Sequence, residues 1–541
     1  MLLSASACER RDPGPSAAAR RGYVTVAHET QASWVRNFNP FLATSRAPTR
    51  SGIYEPLIVY NVVKNEWAHF LAERYELSRE NRALRFELRR GVRWSDGAPF
   101  SAKDVVFTFE LLKKHTALDR LGVRKFLHRF RALDDYTVEF EFERPSFTAL
   151  PFIGHHPIVP EHVWKDVADP VRFMNENPVA TGPFTEVEIF RPQLYELGKH
   201  PHYWQPGKPR VNGLRYPAFG SNEGATLALL EGSVDWAGLF VPAVDRVFVA
   251  RDPQHYHRWF PLIGGTVMLY ANTTRKPFDD VRVRKALSHA IDRELLVKVA
   301  MFGYTRPSDA SGLSDAFAGW RAGELPGGDW VQHDPPRAEK LLDEAGYPRG
   351  PSGQRQRPDG SPLEYELNVV DGWSDWVRAC QIIARGLASL GIPTKVKQYS
   401  WGAFYERIAR GNFDLSIGWS FVGPTPVDFY VHVMAGHTKK PVGETSDRNW
   451  HRFHAPGMDE LLQAFDRAGA PEQQRLAHEF QRLFVEHVPA IPLFPGPECG
   501  EYNDRHFTGF PNEKNPYGSL TPYTEPGNLL VLTELRSRTE Q

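Results

Sequence analysis

A single hydrophobic core stops growing at about 250–300 residues, and this chain has 541. Its apolar residues must therefore be shared among two or three lobes. No stretch repeats along the chain with a period of roughly 20–50 residues, which removes the solenoid alternative. No apolar run approaches the roughly 20 residues of a membrane-spanning helix, and a hydrophobic content of 41% suits soluble globular lobes. Lys+Arg and Asp+Glu number 65 each, with no long run of one sign. Neither nucleic acid nor an anionic membrane surface is the expected partner.

Local patterning divides the chain further. Tyr23 to Ala27 is short and β-branched, and reads as the first strand. Leu84, Phe86 and Leu88 alternate with charged residues, as do Val138, Phe140 and Phe142. Period two with one polar face predicts half-buried antiparallel strands. Between them lies GVRWSDGAPFSAKDV, residues 91–105. Ser95-Asp96-Gly97 is turn chemistry, and Ser101 with Asp104 fits a capping box. Val105, Phe109 and Leu112 follow at helical spacing as the buried face. Every polar residue of the stretch thus has a structural task, and neither serine has a His or Cys nearby to activate it.

Later segments are richer in helix. Asp334-Pro335 caps and starts one, with Leu341, Leu342 and Ala345 inward and Gly346 as its stop. Val283, Leu287, Ala290 and Ile291 form another apolar stripe before Asp292. The strand Leu367 to Val370, a helix around Cys380 to Leu390, and the strand Thr394 to Val396 follow in β-α-β order. That order predicts an α/β lobe with a largely parallel sheet.

No motif carries catalysis. His478-Glu479 opens no HExxH because position 482 is Arg482, and no GxSxG, phosphate-binding loop or dinucleotide fingerprint is present. The pairs His255/His257 and His451/His454 read as surface histidines, so no metal and no cofactor are expected. A two-carboxylate glycosidase leaves no local signature and stays open as a minor reading. Cys8, Cys380 and Cys499 are the only cysteines. Their scarcity excludes a disulfide scaffold, and Cys380 and Cys499 are expected to be free thiols, the former buried.

Four blocks, in order and at their present spacing, resemble the bacterial extracellular solute-binding proteins of the peptide/nickel class, family 5. They are GVRWSDGAPFSAKDVVFTFELL from Gly91, Ala180-Thr181-Gly182-Pro183-Phe184, His202-Tyr203-Trp204 with Leu229 to Asp235, and Asn272 to Asp292. The resemblance implies an α/β periplasmic-binding-protein-like fold, two lobes around a hinged cleft with an inserted α+β subdomain. Residues 1–20 would be a tether. Lobe I would take 21–48, 180–272 and 495–541; the inserted lobe II, 49–179; and lobe III, 273–494. The opening stretch would lie in the inserted part, away from the cleft, as a fold signature.

The implied role is that of a monomeric receptor, periplasmic or at the cell surface, that hands its ligand to the membrane permease of an ABC importer. Leu2 to Cys8 resembles the tail of a lipoprotein signal, which leaves open a lipid anchor at Cys8 or a chance likeness. Expected ligand contacts are Trp34, Asn39, Trp236, Asn272, Trp373, Trp401, Trp419 and Asp428, with Trp376 beside Trp373. Peptide-binding members of the class place an aspartate soon after a Gly-Trp pair; here Gly418-Trp419 is followed first by Val422 and only later by Asp428. Tryptophan platforms with amides suit a sugar ring, and the segments Asn37 to Phe41 and Tyr195 to Pro209 resemble the cello- and manno-oligosaccharide subset. A β-linked oligosaccharide is therefore the expected ligand, and an oligopeptide the alternative. Nickel is disfavoured for want of a His/Cys cluster.

Overall fold

The computed structural model describes residues 22–538 apart from 29, 43, 79, 120–121 and 124–126. Two large sheets organise it. The first has seven strands, in the order Tyr256–Trp259, Gly500–Asn503, Trp236–Ala237, Tyr23–Ala27, Gly213–Pro217, Leu194–Gly198 and Glu186–Arg191. Tyr23–Ala27 is central and parallel to both neighbours, while the outer pairings are antiparallel. Its sequence YVTVA is buried at four of five positions, as a central strand covered on both faces requires.

The second sheet has five strands, in the order Thr394–Tyr399, Tyr365–Val370, Leu415–Trp419, Val267–Ala271 and Ile491–Phe494. The first three are mutually parallel. Val267–Ala271 is antiparallel to both its neighbours, so the sheet is mixed rather than largely parallel. The β-α-β order gives the parallel half, and the two antiparallel strands come from segments distant in sequence. Val267–Ala271 also belongs to this second sheet, so the chain crosses between the lobes before residue 267 rather than at 272. The helix Ser374–Ser389 connects two of the parallel strands and buries Trp376, Ala379, Cys380, Ile383 and Leu387. Those positions lie three and four residues apart, one face of a helix. Each large aliphatic side chain so buried contributes about 1.5–3 kcal/mol.

A separate four-stranded antiparallel sheet, Ala72–Leu77, Ala83–Leu88, Thr137–Phe142 and Leu127–Asp134, is covered by the helix Ala102–Lys114. The alternation read from the sequence is met, with Leu84, Phe86, Leu88, Val138, Phe140 and Phe142 all buried. The capping box is formed: Ser101 N–H donates to Asp104 Oδ2 at 2.9 Å and Ser101 Oγ accepts from Lys103 N–H at 3.3 Å. Asp96 Oδ1 accepts from Ala98 N–H at 3.0 Å, and Gly97 has φ of 89°, the left-handed region that glycine tolerates. The polar residues of the opening stretch therefore build a turn and a cap.

Candidate functional site

Between the two large sheets lies a cavity of about 750 Å³, within the usual range of small-molecule sites. Its second-lobe wall follows from topology. In open α/β sheets ligands bind beyond the carboxyl ends of the parallel strands. Here all three parallel strands deliver tryptophan to that edge. Trp373 and Trp376 follow Tyr365–Val370, Trp401 follows Thr394–Tyr399, and Trp419 ends Leu415–Trp419, and all four line the cavity.

These rings form one continuous face. Trp401 is stacked on Trp373 and on Trp419, with centroids 5.5 and 5.7 Å apart, and Trp376 meets Trp373 edge-on at 5.0 Å. No gap remains for a ring to be sandwiched, so the wall presents a platform. Trp401 is the most open, with 36% of its surface exposed. Trp419 serves both roles, since it also meets the buried Trp450 edge-on at 4.9 Å and its carbonyl accepts from the Tyr270 hydroxyl at 2.8 Å.

Four expected contacts are placed elsewhere, each for an identifiable reason. Asn272 follows an antiparallel strand, so it emerges at the opposite edge of the sheet; its amide donates to the Gly411 and Phe413 carbonyls at 2.8 and 3.0 Å. Trp236 is 1% exposed, and its indole N–H donates to the Leu520 carbonyl at 2.6 Å. The residues just after its strand, Gly238, Leu239 and Phe240, reach the cavity instead. Trp34 packs edge-on to Tyr195 at 5.4 Å and donates to the Tyr216 carbonyl at 3.0 Å. It stands behind His28, which does line the cavity. Asn39 is fully buried and its amide holds the Pro170 and Phe173 carbonyls.

Asp428 is not among the lining residues either. Burial pushes its carboxyl up to about 6, partly offset by Arg448. Cys8 lies outside the described residues. Cys380 and Cys499 are both free; the former is in the helix core and the latter is on the cavity wall. His255 and His257 converge on Asp504, at 2.8 and 3.7 Å, but Asp504 is also engaged by Arg538 at 2.6 Å.

The polar wall was not legible beforehand. The segment 49–179, expected as an inserted lobe, reaches the cavity through Arg50, Tyr60, Asn61, Val62 and His155. Arg50 is the only arginine or lysine among the described lining residues, and Glu525 holds it at 3.2 Å. Burial lowers His28 and His155 to about 4, so both are neutral near pH 7. Glu498 Oε2 accepts from the Ser519 and Thr524 hydroxyls at 3.0 and 2.8 Å, and from Thr521. Ser420 Oγ is buried on the wall without a hydrogen-bond partner. Asp375, between two of the tryptophans in sequence, is 9% exposed and also lines the cavity. Burial pushes its carboxyl up to about 6.

The floor of the cavity is where the chain crosses between the lobes. A Cβ on Gly265 would stand 2.0 Å from the Ser420 carbonyl oxygen, and one on Gly496 would stand 2.5 Å from that of Gly265. Only glycine allows the two crossings to approach so closely.

Residues 66–441 match the family model of the bacterial extracellular solute-binding proteins, family 5. The chain belongs to that family. Among its relatives, the glutathione-binding protein GsiB of Salmonella choleraesuis is 30% identical over 443 residues, covering 78% of this chain and 79% of that protein. A di/tripeptide-binding protein of Pseudomonas aeruginosa is 26% identical over 463 residues, 78% of this chain and 80% of its own length. The mannohexaose-bound periplasmic oligopeptide-binding protein of Thermotoga maritima superposes with a TM-score of 0.88 at 25% identity. That match covers 96% of this chain and 99% of the other. The fold is that of the periplasmic binding proteins, and the relatives are solute-binding proteins rather than enzymes. No helix among the described residues is long and apolar enough to cross a membrane.

Proposed function

We propose that this member of the family is the receptor of an ABC importer for a β-linked oligosaccharide, captured in the interlobe cavity and passed to a membrane permease from the periplasm or cell surface. The observation that carries the reading is the platform of four tryptophans at the carboxyl ends of three parallel strands. Pyranose C–H faces pack on such rings, and the sugar hydroxyls would meet Gln31, Asn61, Asn222 and the unpartnered Ser420 hydroxyl. A buried hydroxyl without a partner costs about 1–3 kcal/mol, so a ligand that supplies one gains affinity there. Among the described lining residues the sole arginine is already paired with Glu525, so none of them offers a free arginine or lysine to a peptide carboxylate. The mannohexaose held by the Thermotoga protein is in keeping with this.

A second reading, an oligopeptide receptor, is favoured by the glutathione- and di/tripeptide-binding names of the relatives. Calorimetric titration with cello- and manno-oligosaccharides and with a di/tripeptide pool separates the two. Saturable binding of a sugar that peptides do not displace supports the first reading; displacement of every sugar signal by a peptide supports the second.

A further inference from the structure

Asp375 stands on the cavity wall with nine-tenths of its surface buried, yet among the described residues no ion pair and no side-chain hydrogen bond is formed by its carboxylate. Backbone amides of its own first helical turn support it, and after them the charge of Arg378. Arg378, one turn on, is turned away over the rings of Phe240 and Phe302, at 5.5 and 5.4 Å, and forms no ion pair with it. A buried carboxylate that no cation pairs directly is costly, and departures of this kind fall at functional sites in real proteins.

Two further observations give this acid a direction. Glu498 adds a second carboxylate to the same wall, held in place by three hydroxyls. Both acids act electrostatically on the buried Cys499 thiol beside them, which burial first of all, then Glu501, Asp375 and Glu498, push upward. Among the described lining residues there is no lysine, and the one arginine is held by Glu525. Trp373 and Trp376 flank Asp375 in sequence and line the same cavity, and aromatic faces attract cations. Among the described lining residues the cavity thus has an acidic, aromatic pole with no cation paired to it.

We infer that the ligand carries a protonated amine, which Asp375 receives with Glu498 as the second negative charge. Resting on the oligosaccharide reading, this names the substrate class as an amino sugar, a β-linked oligosaccharide with free amino groups. Had Asp375 only favoured the helix terminus, its charge would be indifferent to the ligand.

The test compares two disaccharides that differ only at the amine, β-1,4-linked glucosamine disaccharide and cellobiose, by calorimetry on the full chain and on Asp375→Asn. Hydrogen bonds to charged groups imply a preference of about tenfold or more for the amino sugar in the unaltered protein. Asp375→Asn should abolish that preference, bringing the two affinities to within about twofold of each other. Equal affinity of the unaltered protein for the two sugars would overturn the inference and leave the oligosaccharide reading standing, and this arm needs no variant. Equal loss for both sugars in Asp375→Asn would reduce Asp375 to a structural role. Binding of neither sugar would overturn the inference, and a manno-oligosaccharide titration run alongside then decides whether the oligosaccharide reading falls with it.

Discussion

Replacing Trp401 by alanine probes the platform where it is most open. A tryptophan side chain offers up to about 250 Å² for burial, and 36% of Trp401, which lines the cavity, is exposed. About 90 Å² is therefore available to a ligand, which at about 25 cal/mol per Å² is worth about 2 kcal/mol, or roughly thirtyfold in Kd. The buried remainder packs on Trp373, Trp419, Tyr405 and Phe404, with centroids between 5.5 and 6.4 Å away. The variant should accordingly melt earlier as well. Affinity measured by calorimetry well below the lowered Tm isolates the ligand term from the stability term. A Kd unchanged within about twofold, on a variant shown to be folded, would refute the platform as the ligand contact and leave Trp401 as packing only.

Other outcomes follow from the same geometry. Asp375 has a folded-state carboxyl raised from 3.8 to about 6, so its protonation stabilises the ligand-free protein; that contribution is full below about pH 4 and lost as pH rises through 6. Ligand-free Asp375→Asn should thus be the more stable protein above pH 7, by up to about 3 kcal/mol, with the gap closing toward pH 4; chemical denaturation across that range, with no growing gap, would count against the burial argument. Gly496→Ala drives a Cβ to within 2.5 Å of the Gly265 carbonyl oxygen, and should cost on the order of 1–3 kcal/mol and prevent the observed approach of the two crossings; a variant with unchanged Tm and unchanged small-angle scattering on ligand addition would contradict this. Cys380 and Cys499 are free and buried with thiols pushed upward, so mass analysis should find both unalkylated in the native protein and both modified after unfolding. Their recovery as a linked pair would contradict the free-thiol assignment.

The fold was largely legible because hydrophobic periodicity is a local signal. The alternation at Leu84 to Leu88 and Val138 to Phe142, the Ser101 cap and the β-α-β order from Tyr365 all stand as read. What was missed is non-local. No short-range feature announces that Val267–Ala271 and Ile491–Phe494 join the parallel strands from far along the chain, and this is why the sheet is mixed. The candidate site divides in the same way. Trp373, Trp401 and Trp419 line the cavity because each stands at or just past the end of a parallel strand, a position that can be inferred once the strands are. Trp34, Asn39, Trp236, Asn272 and Asp428 stand off the cavity lining, since residue type alone does not say which edge or face of a sheet a side chain leaves from. Asn272 is the clearest instance, one residue past a strand that runs the other way. Arg50, Tyr60 and Glu525 come to the wall from loops and hairpins that meet only in the folded chain, and Asp375 carried one faint sign, an acid set between two cleft tryptophans.

The claim at the centre of this account is that the aromatic interlobe cavity holds a sugar. Thermal unfolding of the full chain against a panel of β-linked oligosaccharides, cello-, manno- and glucosamine-based, and a di/tripeptide pool tests it most directly. A ligand present at 100 times its Kd adds about 2.7 kcal/mol of stability, enough to raise the Tm visibly. The account predicts that at least one of the sugars produces that rise, that the peptides do not, and that the rise is reduced in Trp401→Ala. A rise with the peptide pool and none with any sugar would contradict it.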